Sequence, residues 1–142
     1  MKIIEQAKLP KDTMDRLKFV ASAEKGWFDG DQGDPVGDNA LFAATRFLEL
    51  YHKHSTLNRP GINPLIEGGV NIEWIPPVEK MALFDYNWIL DIGNNGEMTA
   101  YFFSYNPSLK DYELNFSYNE ENIDHICDKI VKKIGDLGLL KY

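Results

Sequence analysis

Two different hydrophobic periods divide this chain. Between residues 70 and 118 apolar residues alternate with polar ones, as Val70, Ile72 and Trp74 do, and a period of two residues is typical of a β-strand with one buried face. Before residue 55 the apolar residues recur every three to four positions, which is the period of an amphipathic helix. A chain that changes from the helical period to the strand period is predicted to combine helices with a sheet.

Turn sequences separate the predicted strands. Gly68-Gly69 precedes one strand, and Gly93-Asn94-Asn95-Gly96 lies between two others. Gly and Asn tolerate the positive φ angles of the tight turns that join hairpin strands. Because tight turns connect consecutive strands, we predict an antiparallel meander of about four to five strands. The predicted strands are 62–66, 70–74, 86–92, 97–105 and 112–118.

Helical patterns flank the predicted sheet. The first helix is expected to start at Pro10 and Asp12 and to end near Glu24, after a lead-in or edge strand at residues 1–7. Asp38 is predicted to be the N-cap of a second helix that reaches about His54. Its expected buried stripe is Leu41, Ala44, Leu48 and Tyr51.

A third long helix closes the chain. Asn119 is predicted to cap it, with Glu120 and Glu121 in its first turn, and isoleucines 123, 126, 130 and 134 share one face. The length of 142 residues fits one domain of ordinary size. The sequence therefore predicts a single α+β domain over residues 1–142, with two N-terminal helices, an antiparallel meander and a C-terminal helix packed on the sheet.

The charge balance excludes several kinds of partner. The formal net charge is −7 and the isoelectric point is about 4.9. Binding to nucleic acid phosphates or to an anionic membrane requires clustered Lys and Arg, so we expect neither direct nucleic-acid binding nor membrane binding. The single cysteine, Cys127, lies on the apolar face of the last helix and is predicted to be a buried thiol. Without a secretory pattern or a long apolar run, a cytoplasmic location is expected.

The segment between the first two helices is the most distinctive. Residues 26–35 are rich in Gly, Asp and Pro, which predicts a loop. It starts with Trp27 and Phe28, which are costly to expose, so both are expected to fold back into the core and fix the loop. Gly30 is assigned a structural role in the same loop. Trp74 and Trp88 are expected to be structural residues of the sheet.

Four aspartates in and after this loop form the first candidate site. They are Asp29, Asp31, Asp34 and Asp38. A Ca²⁺-binding EF-hand loop counted from Asp29 fails at positions 5, 6 and 12, which are occupied by Gly33, Asp34 and Ala40. An irregular Ca²⁺ or Mg²⁺ site remains an alternative, but turn formation and helix capping explain the aspartates better. No metal site and no cofactor are therefore predicted.

The sequence contains no catalytic arrangement that we can identify. His52 and His54 are two residues apart, whereas zinc-binding helices use a spacing of four, so both are expected to be solvated. Cys127 and His125 cannot meet on one helix for the same reason. Glu73 and Asp91 fall on the polar side of their strands, where they are candidate partner-binding residues on a solvent-facing sheet surface. The aromatic residues of 101–105 are expected to leave an exposed patch beside them.

A family resemblance rests on three segments. Gly26-Trp27-Phe28-Asp29-Gly30, the helix that follows, and Gly68-Gly69-Val70-Asn71-Ile72-Glu73-Trp74 resemble an uncharacterised family of small bacterial and phage proteins. The family pattern is Gly-Trp-Asp-Gly, then a helix, then Gly-Gly-Val-x-x-Glu-Trp, and the match covers residues 26–105. This chain inserts Phe28 after Trp27 and has a more acidic loop. The resemblance implies no activity, although small proteins of mobile elements often inhibit toxins or defence systems.

These observations favour a non-enzymatic binding protein. Its expected partner is a protein with a basic surface, such as a nuclease or a defence complex, inhibited in the manner of an antitoxin or an anti-CRISPR protein. The candidate partner-binding residues are Asp29, Asp31, Asp34, Asp38, Glu73 and Asp91. Two alternatives stay open. One is a metal-dependent enzyme or a Ca²⁺ or Mg²⁺ module that uses the 29–38 loop. The other is a structural accessory protein that self-associates through an exposed aromatic strand edge.

Overall fold

The computed structural model describes residues 2–55 and 58–140. Within them the chain forms four α-helices and one five-stranded sheet, which confirms the predicted α+β class. The helices are α1 (Lys2–Glu5), α2 (Lys11–Ala21), α3 (Asp38–His54) and α4 (Ile123–Asp136). The strands are β1 (Gly61–Pro64), β2 (Val70–Trp74), β3 (Tyr86–Ile92), β4 (Glu97–Ser104) and β5 (Tyr112–Ser117). A 3₁₀ turn, Val78–Leu83, connects β2 to β3.

The sheet is the predicted antiparallel meander, with the strand order β1-β2-β3-β4-β5. The register places Trp74 opposite Trp88, and Trp88 opposite Phe102. Side chains alternate between the two sides of a strand, so these three aromatic residues share one face of the sheet. That face is the core side of the sheet, because every second residue of β2 and β3 is buried.

The hydrophobic core lies between this face and the helices. Phe47 and Tyr51 of α3 are fully buried, and their rings contact Trp88 at centroid distances of 5.8 and 5.4 Å. Helix α4 packs beside α3, and its isoleucines join the same core. Cys127 is buried there, as predicted. Among residues 2–55 and 58–140 no helix forms a layer on the opposite face of the sheet, and none of the strand residues on that face is fully buried.

The ends of the helices differ from the sequence predictions. Residues 2–5 form a short helix rather than an extended lead-in or a strand, and its Ile4 is completely buried. Helix α2 ends at Ala21 rather than near Glu24, because the chain turns into the Gly-rich loop before Gly26. Asp38 is not the N-cap of α3, since Gly37 occupies that position and no side chain of its own caps the helix. A distant residue supplies the cap instead: Asn94 Oδ1 accepts a hydrogen bond from the Ala40 amide at 3.3 Å.

Two further expectations were wrong. His52 is buried rather than solvated: its Nε2 lies 3.3 Å from the Thr13 hydroxyl of α2, while His54 is exposed as expected. The spacing on α3 alone could not reveal that α2 covers this end. Helix α4 starts at Ile123, so Glu120 and Glu121 lie in a turn ahead of it. Asn119 organises that turn by accepting hydrogen bonds from the amides of residues 121 and 122.

Candidate functional site

The six predicted partner-binding residues lie in two places. Asp29, Asp31, Asp34 and Asp38 are all exposed, and they lie in the loop before α3 and in the first residue of that helix. Glu73 and Asp91 lie on β2 and β3, on the face of the sheet that the helices do not cover. We call that side of the sheet the open face and residues 26–37 the acidic loop.

The acidic loop is held together by its own backbone. The Gly26 amide donates to the Gly33 carbonyl at 2.7 Å, and the Phe28 amide donates to the Gln32 carbonyl at 2.9 Å. Within this double connection, Asp29 Oδ1 accepts hydrogen bonds from two amides, those of Asp31 at 3.0 Å and Gln32 at 2.6 Å. The Asp29 carboxylate therefore stabilises a turn, as aspartates in turns commonly do.

Trp27 and Phe28 do not enter the hydrophobic core, contrary to the sequence prediction. Phe28 is 56% exposed and meets Trp27 edge to face at a centroid distance of 5.9 Å. The Trp27 indole is only partly buried; it lies over Gly33, and its Nε1 donates to the Asp34 carbonyl at 2.8 Å. The loop thus offers the indole both a surface and a hydrogen-bond acceptor, so the ring stabilises the loop from within. Gly30 has φ +91° and open space around it, which fits a structural role in the turn.

The acidic loop is attached to one end of the sheet. The Asp34 amide donates to the Ile66 carbonyl at 2.7 Å, and the Gly37 amide donates to the Gly68 carbonyl at 2.8 Å. Both acceptors belong to the turn between β1 and β2. The four aspartates are therefore fixed near the sheet end that also carries the turn between β3 and β4, from which Asn94 caps α3.

The open face combines carboxylates with an aromatic centre. One row across the sheet runs through Glu73, Ile89, Tyr101 and Glu113, which lie opposite one another in successive strands. Beside this row Phe103 is 41% exposed, and its ring stacks on Tyr101 at a centroid distance of 5.9 Å and an angle of 8°. The centre of the open face is thus apolar, and a carboxylate lies on each side of it.

The strand residues of the open face carry one sign of charge. Its carboxylates are Glu73, Asp91, Glu97 and Glu113, and none of the five strands contains a Lys or an Arg. A surface with this distribution has a negative potential that attracts cationic groups. The alternation of β2 and β3 predicted Glu73 and Asp91. The roles of Ile89 and Glu113 depend on the register between strands, which the sequence does not reveal.

Hydrogen bonds order the polar side chains of the open face. Asn63 Nδ2 donates to Asn71 Oδ1 at 3.3 Å, and Asn71 Nδ2 donates to Asp91 Oδ1 at 2.9 Å. At the opposite edge of the open face, on β5, Asn115 Nδ2 donates to Glu113 Oε2 at 3.1 Å. These contacts keep the Asp91 and Glu113 carboxylates in fixed orientations, which reduces the entropy lost when a partner binds.

A cleft of about 420 Å³ borders the open face at Glu73. Its walls come from the segment before β1, the end of β2 and the 3₁₀ turn with the residues after it, and they include Arg59, Trp74, Lys80 and Phe84. Trp74 is buried and packs edge to face on Phe84 at 5.0 Å, so it forms a rigid wall. Trp74 and Trp88 both belong to the buried core.

The residues considered for chemistry do not assemble into a site. Burial raises the pKa of the Cys127 thiol to about 12, so the thiol is protonated and a poor nucleophile at neutral pH. His125 is exposed on the same helix. In residues 2–55 and 58–140 no three His, Cys, Asp or Glu side chains are grouped so that they could hold a metal ion.

Comparison with known proteins gives no relative. No protein-family profile matches the chain, and neither curated protein sequences nor solved structures give a significant match. Among the described helices, none is both long enough and apolar enough to cross a lipid bilayer. The fold and the two acidic regions are therefore the observations from which a function can be argued.

Proposed function

We propose that this chain is a non-enzymatic binding module whose open face docks a basic region of another protein. The observation that carries the proposal is the open face itself: a partly exposed Tyr101–Phe103 stack with carboxylates around it and no Lys or Arg in any strand. An exposed aromatic patch with a polar rim is typical of a protein-binding surface.

The chemistry of the face selects the kind of partner. Arginine binds carboxylates through two parallel hydrogen bonds, and its flat guanidinium also stacks on aromatic rings. Tyr101 lies between Glu113 and Ile89 in one row, so one arginine of a partner can stack on the ring while it pairs with the neighbouring carboxylate. Opposite charge also speeds the encounter of two proteins.

The partner class that fits best is a protein with a basic nucleic-acid groove. A nuclease or a defence complex has such a groove, and an acidic protein that occupies it blocks nucleic acid from entering. The proposed role is therefore that of an antitoxin-like or anti-CRISPR-like inhibitor from a bacterium or a mobile element. The family resemblance of the segments 26–30 and 68–74 is consistent with that origin, and the negative charge of the whole chain supports it.

Site-specific crosslinking tests the proposal. A photoreactive phenylalanine analogue is introduced at Phe103 on the open face, and in a second variant at Phe19 of α2, which is 65% exposed. After illumination of cells that naturally express the protein, the analogue at 103 is expected to capture a basic protein that the analogue at 19 does not. Equal capture at both positions, or capture of acidic proteins alone, contradicts the proposal.

A competition experiment then tests the inhibitory role. The captured partner is purified and titrated with a labelled nucleic acid, with and without this protein. Inhibition predicts that the two ligands exclude each other, so that saturating nucleic acid abolishes the complex. A ternary complex of all three components means that the open face binds elsewhere on the partner, and then docking stands while inhibition does not.

The acidic loop is the second part of the proposed surface. Replacing Asp31, Asp34 and Asp38 by Asn removes three charges and leaves the Asp29 turn intact. If the loop takes part in docking, this variant binds the captured partner more weakly at low salt. Unchanged affinity confines the binding surface to the open face.

A further inference from the structure

The two edges of the sheet differ in how they are protected. At β1, Arg16 of α2 donates from Nε to the Ile62 carbonyl at 2.7 Å and from Nη2 to Asn63 Oδ1 at 3.0 Å. Helix α2 thereby covers that edge. At β5 the only hydrogen bond to the outer side among the described residues comes from Asn122 Nδ2, which donates to the Ser117 carbonyl at 3.0 Å.

The hydrogen-bond pattern identifies the free groups of β5. In an antiparallel pair, directly opposed residues alternate between hydrogen-bonded and non-hydrogen-bonded pairs. The Tyr118 amide donates to the Gly96 carbonyl, so the even-numbered residues of β5 bond to β4. The odd-numbered residues direct their N–H and C=O groups outward. Because Ser117 already accepts a bond from Asn122, the groups of Glu113 and Asn115 form the open edge.

We propose that two copies of this chain pair through β5 and form a dimer with one continuous ten-stranded sheet. In the antiparallel register centred on Leu114, Glu113 of each copy faces Asn115 of the other. This register uses the amides and carbonyls of these two residues in four new main-chain hydrogen bonds. A two-fold axis relates the copies, as in most protein dimers.

Charge and apolar surface select this register. An alternative register centred on Glu113 places the two Glu113 carboxylates directly opposite each other, which is unfavourable across strands. The register centred on Leu114 avoids that contact. On the core side it brings Leu114 against its own copy and Tyr112 against Phe116, three side chains that are only half-buried in the single chain. The second copy completes their burial.

The dimer is closed because the other edge is covered. An exposed strand edge commonly leads to open-ended association, which proteins prevent by covering the edge. With β1 blocked by Arg16, only β5 can pair, and each copy has one β5. The paired sheet places two open faces side by side, so that a partner with a repeated basic surface binds both.

The mass in solution and one matched pair of variants test the dimer. Sedimentation equilibrium is expected to give twice the chain mass of 16.3 kDa at high protein concentration. Asn115→Pro removes an outward amide and no bond to β4, whereas Asn115→Ala keeps that amide. The proline variant is expected to raise the dimer dissociation constant about tenfold or more, since each dimer loses two main-chain hydrogen bonds, and the alanine variant stays dimeric. A monomeric wild type, or equal association of both variants, overturns the proposal.

Hydrogen exchange of the unmodified protein gives a test that needs no variant. The amides of Glu113 and Asn115 are expected to exchange fast in dilute solution and slowly in concentrated solution. Those of Leu114 and Phe116, which bond to β4, are protected at both concentrations. If the exchange rates of the amides of residues 113 and 115 do not depend on protein concentration, β5 is not the interface. This result stands whether or not the proline variant folds.

Discussion

The acidic loop yields the most specific stability prediction, through Gly33. Its φ is +108°, and a Cβ added there would lie 2.8 Å from Trp27 Nε1. The substitution Gly33→Ala therefore strains the backbone, at a cost of about 1 to 3 kcal/mol. It also displaces the indole that donates to the Asp34 carbonyl, which adds about 1 kcal/mol for the lost hydrogen bond.

Gly30 provides the matched control. Its φ of +91° causes similar strain in Gly30→Ala, but a Cβ at this position meets no atom within 4 Å. Urea unfolding followed by tryptophan fluorescence measures the free energy of unfolding of both variants. We expect Gly33→Ala to lose about 1 kcal/mol more than Gly30→Ala, because only Gly33 supports the indole. Equal losses would show that Trp27 does not lie on Gly33, and no loss in either variant would refute the loop conformation.

Three further predictions concern the helices. Burial lowers the pKa of His52, so its contribution to stability is complete above the unfolded pKa of about 6.5 and is lost as the pH falls below it. Melting temperatures measured against pH should therefore lose this pH dependence in His52→Gln and keep it in the exposed His54→Gln. Asn94→Ala removes the cap of α3 and should cost about 1 kcal/mol in urea unfolding, so an unchanged midpoint contradicts the cap. The guanidinium of Arg46 lowers the pKa of the Asp124 carboxyl, and both side chains are 40% or more exposed, so a double-mutant cycle should give a coupling of less than about 1 kcal/mol. The coupling should be complete above the unfolded Asp pKa of about 4 and should be lost progressively as the pH falls below it. A larger coupling, or one independent of pH, contradicts this assignment.

The fold was predictable because its signals are local. The alternation around Trp74 and Trp88 and the Gly-Asn turns specify strands and their connections, and they predict the meander without knowledge of distant contacts. The stripe from Leu41 to Tyr51 likewise predicts α3 with its correct buried side. Each of these signals lies within one element or one turn, so the sequence alone expresses it.

The incorrect predictions have other causes. The cap of α3 comes from Asn94, more than fifty residues away, and His52 is buried because Thr13 of α2 lies against it. Trp27 avoids the core because the loop supplies its own surface at Gly33. The first two outcomes depend on tertiary contacts between elements whose relative position no local pattern encodes, and the third depends on the conformation of the loop backbone.

The candidate site was predicted only in part for the same reason. The polar positions of β2 and β3 indicated Glu73 and Asp91, and the aromatic run of β4 indicated an exposed patch. The arrangement of Tyr101 between Ile89 and Glu113 requires the register of three strands. The sequence therefore predicts the composition of the open face, while only the structure describes its pattern.

Two variants of this protein with equal net charge test most directly whether the open face docks the partner. The first replaces Glu73, Glu97 and Glu113 of the open face by Gln. The second removes three exposed carboxylates outside the open face and outside residues 26–37, through the substitutions Glu24→Gln, Asp128→Asn and Asp136→Asn.

Isothermal titration of each variant against the purified partner that crosslinking identified gives the two affinities at equal net charge. Docking on the open face predicts that the first variant binds about tenfold more weakly or worse, since three charge contacts are lost, while the second binds like the wild type. Equal affinities of the two variants would contradict the account, because binding would then depend on the overall charge rather than on the open face.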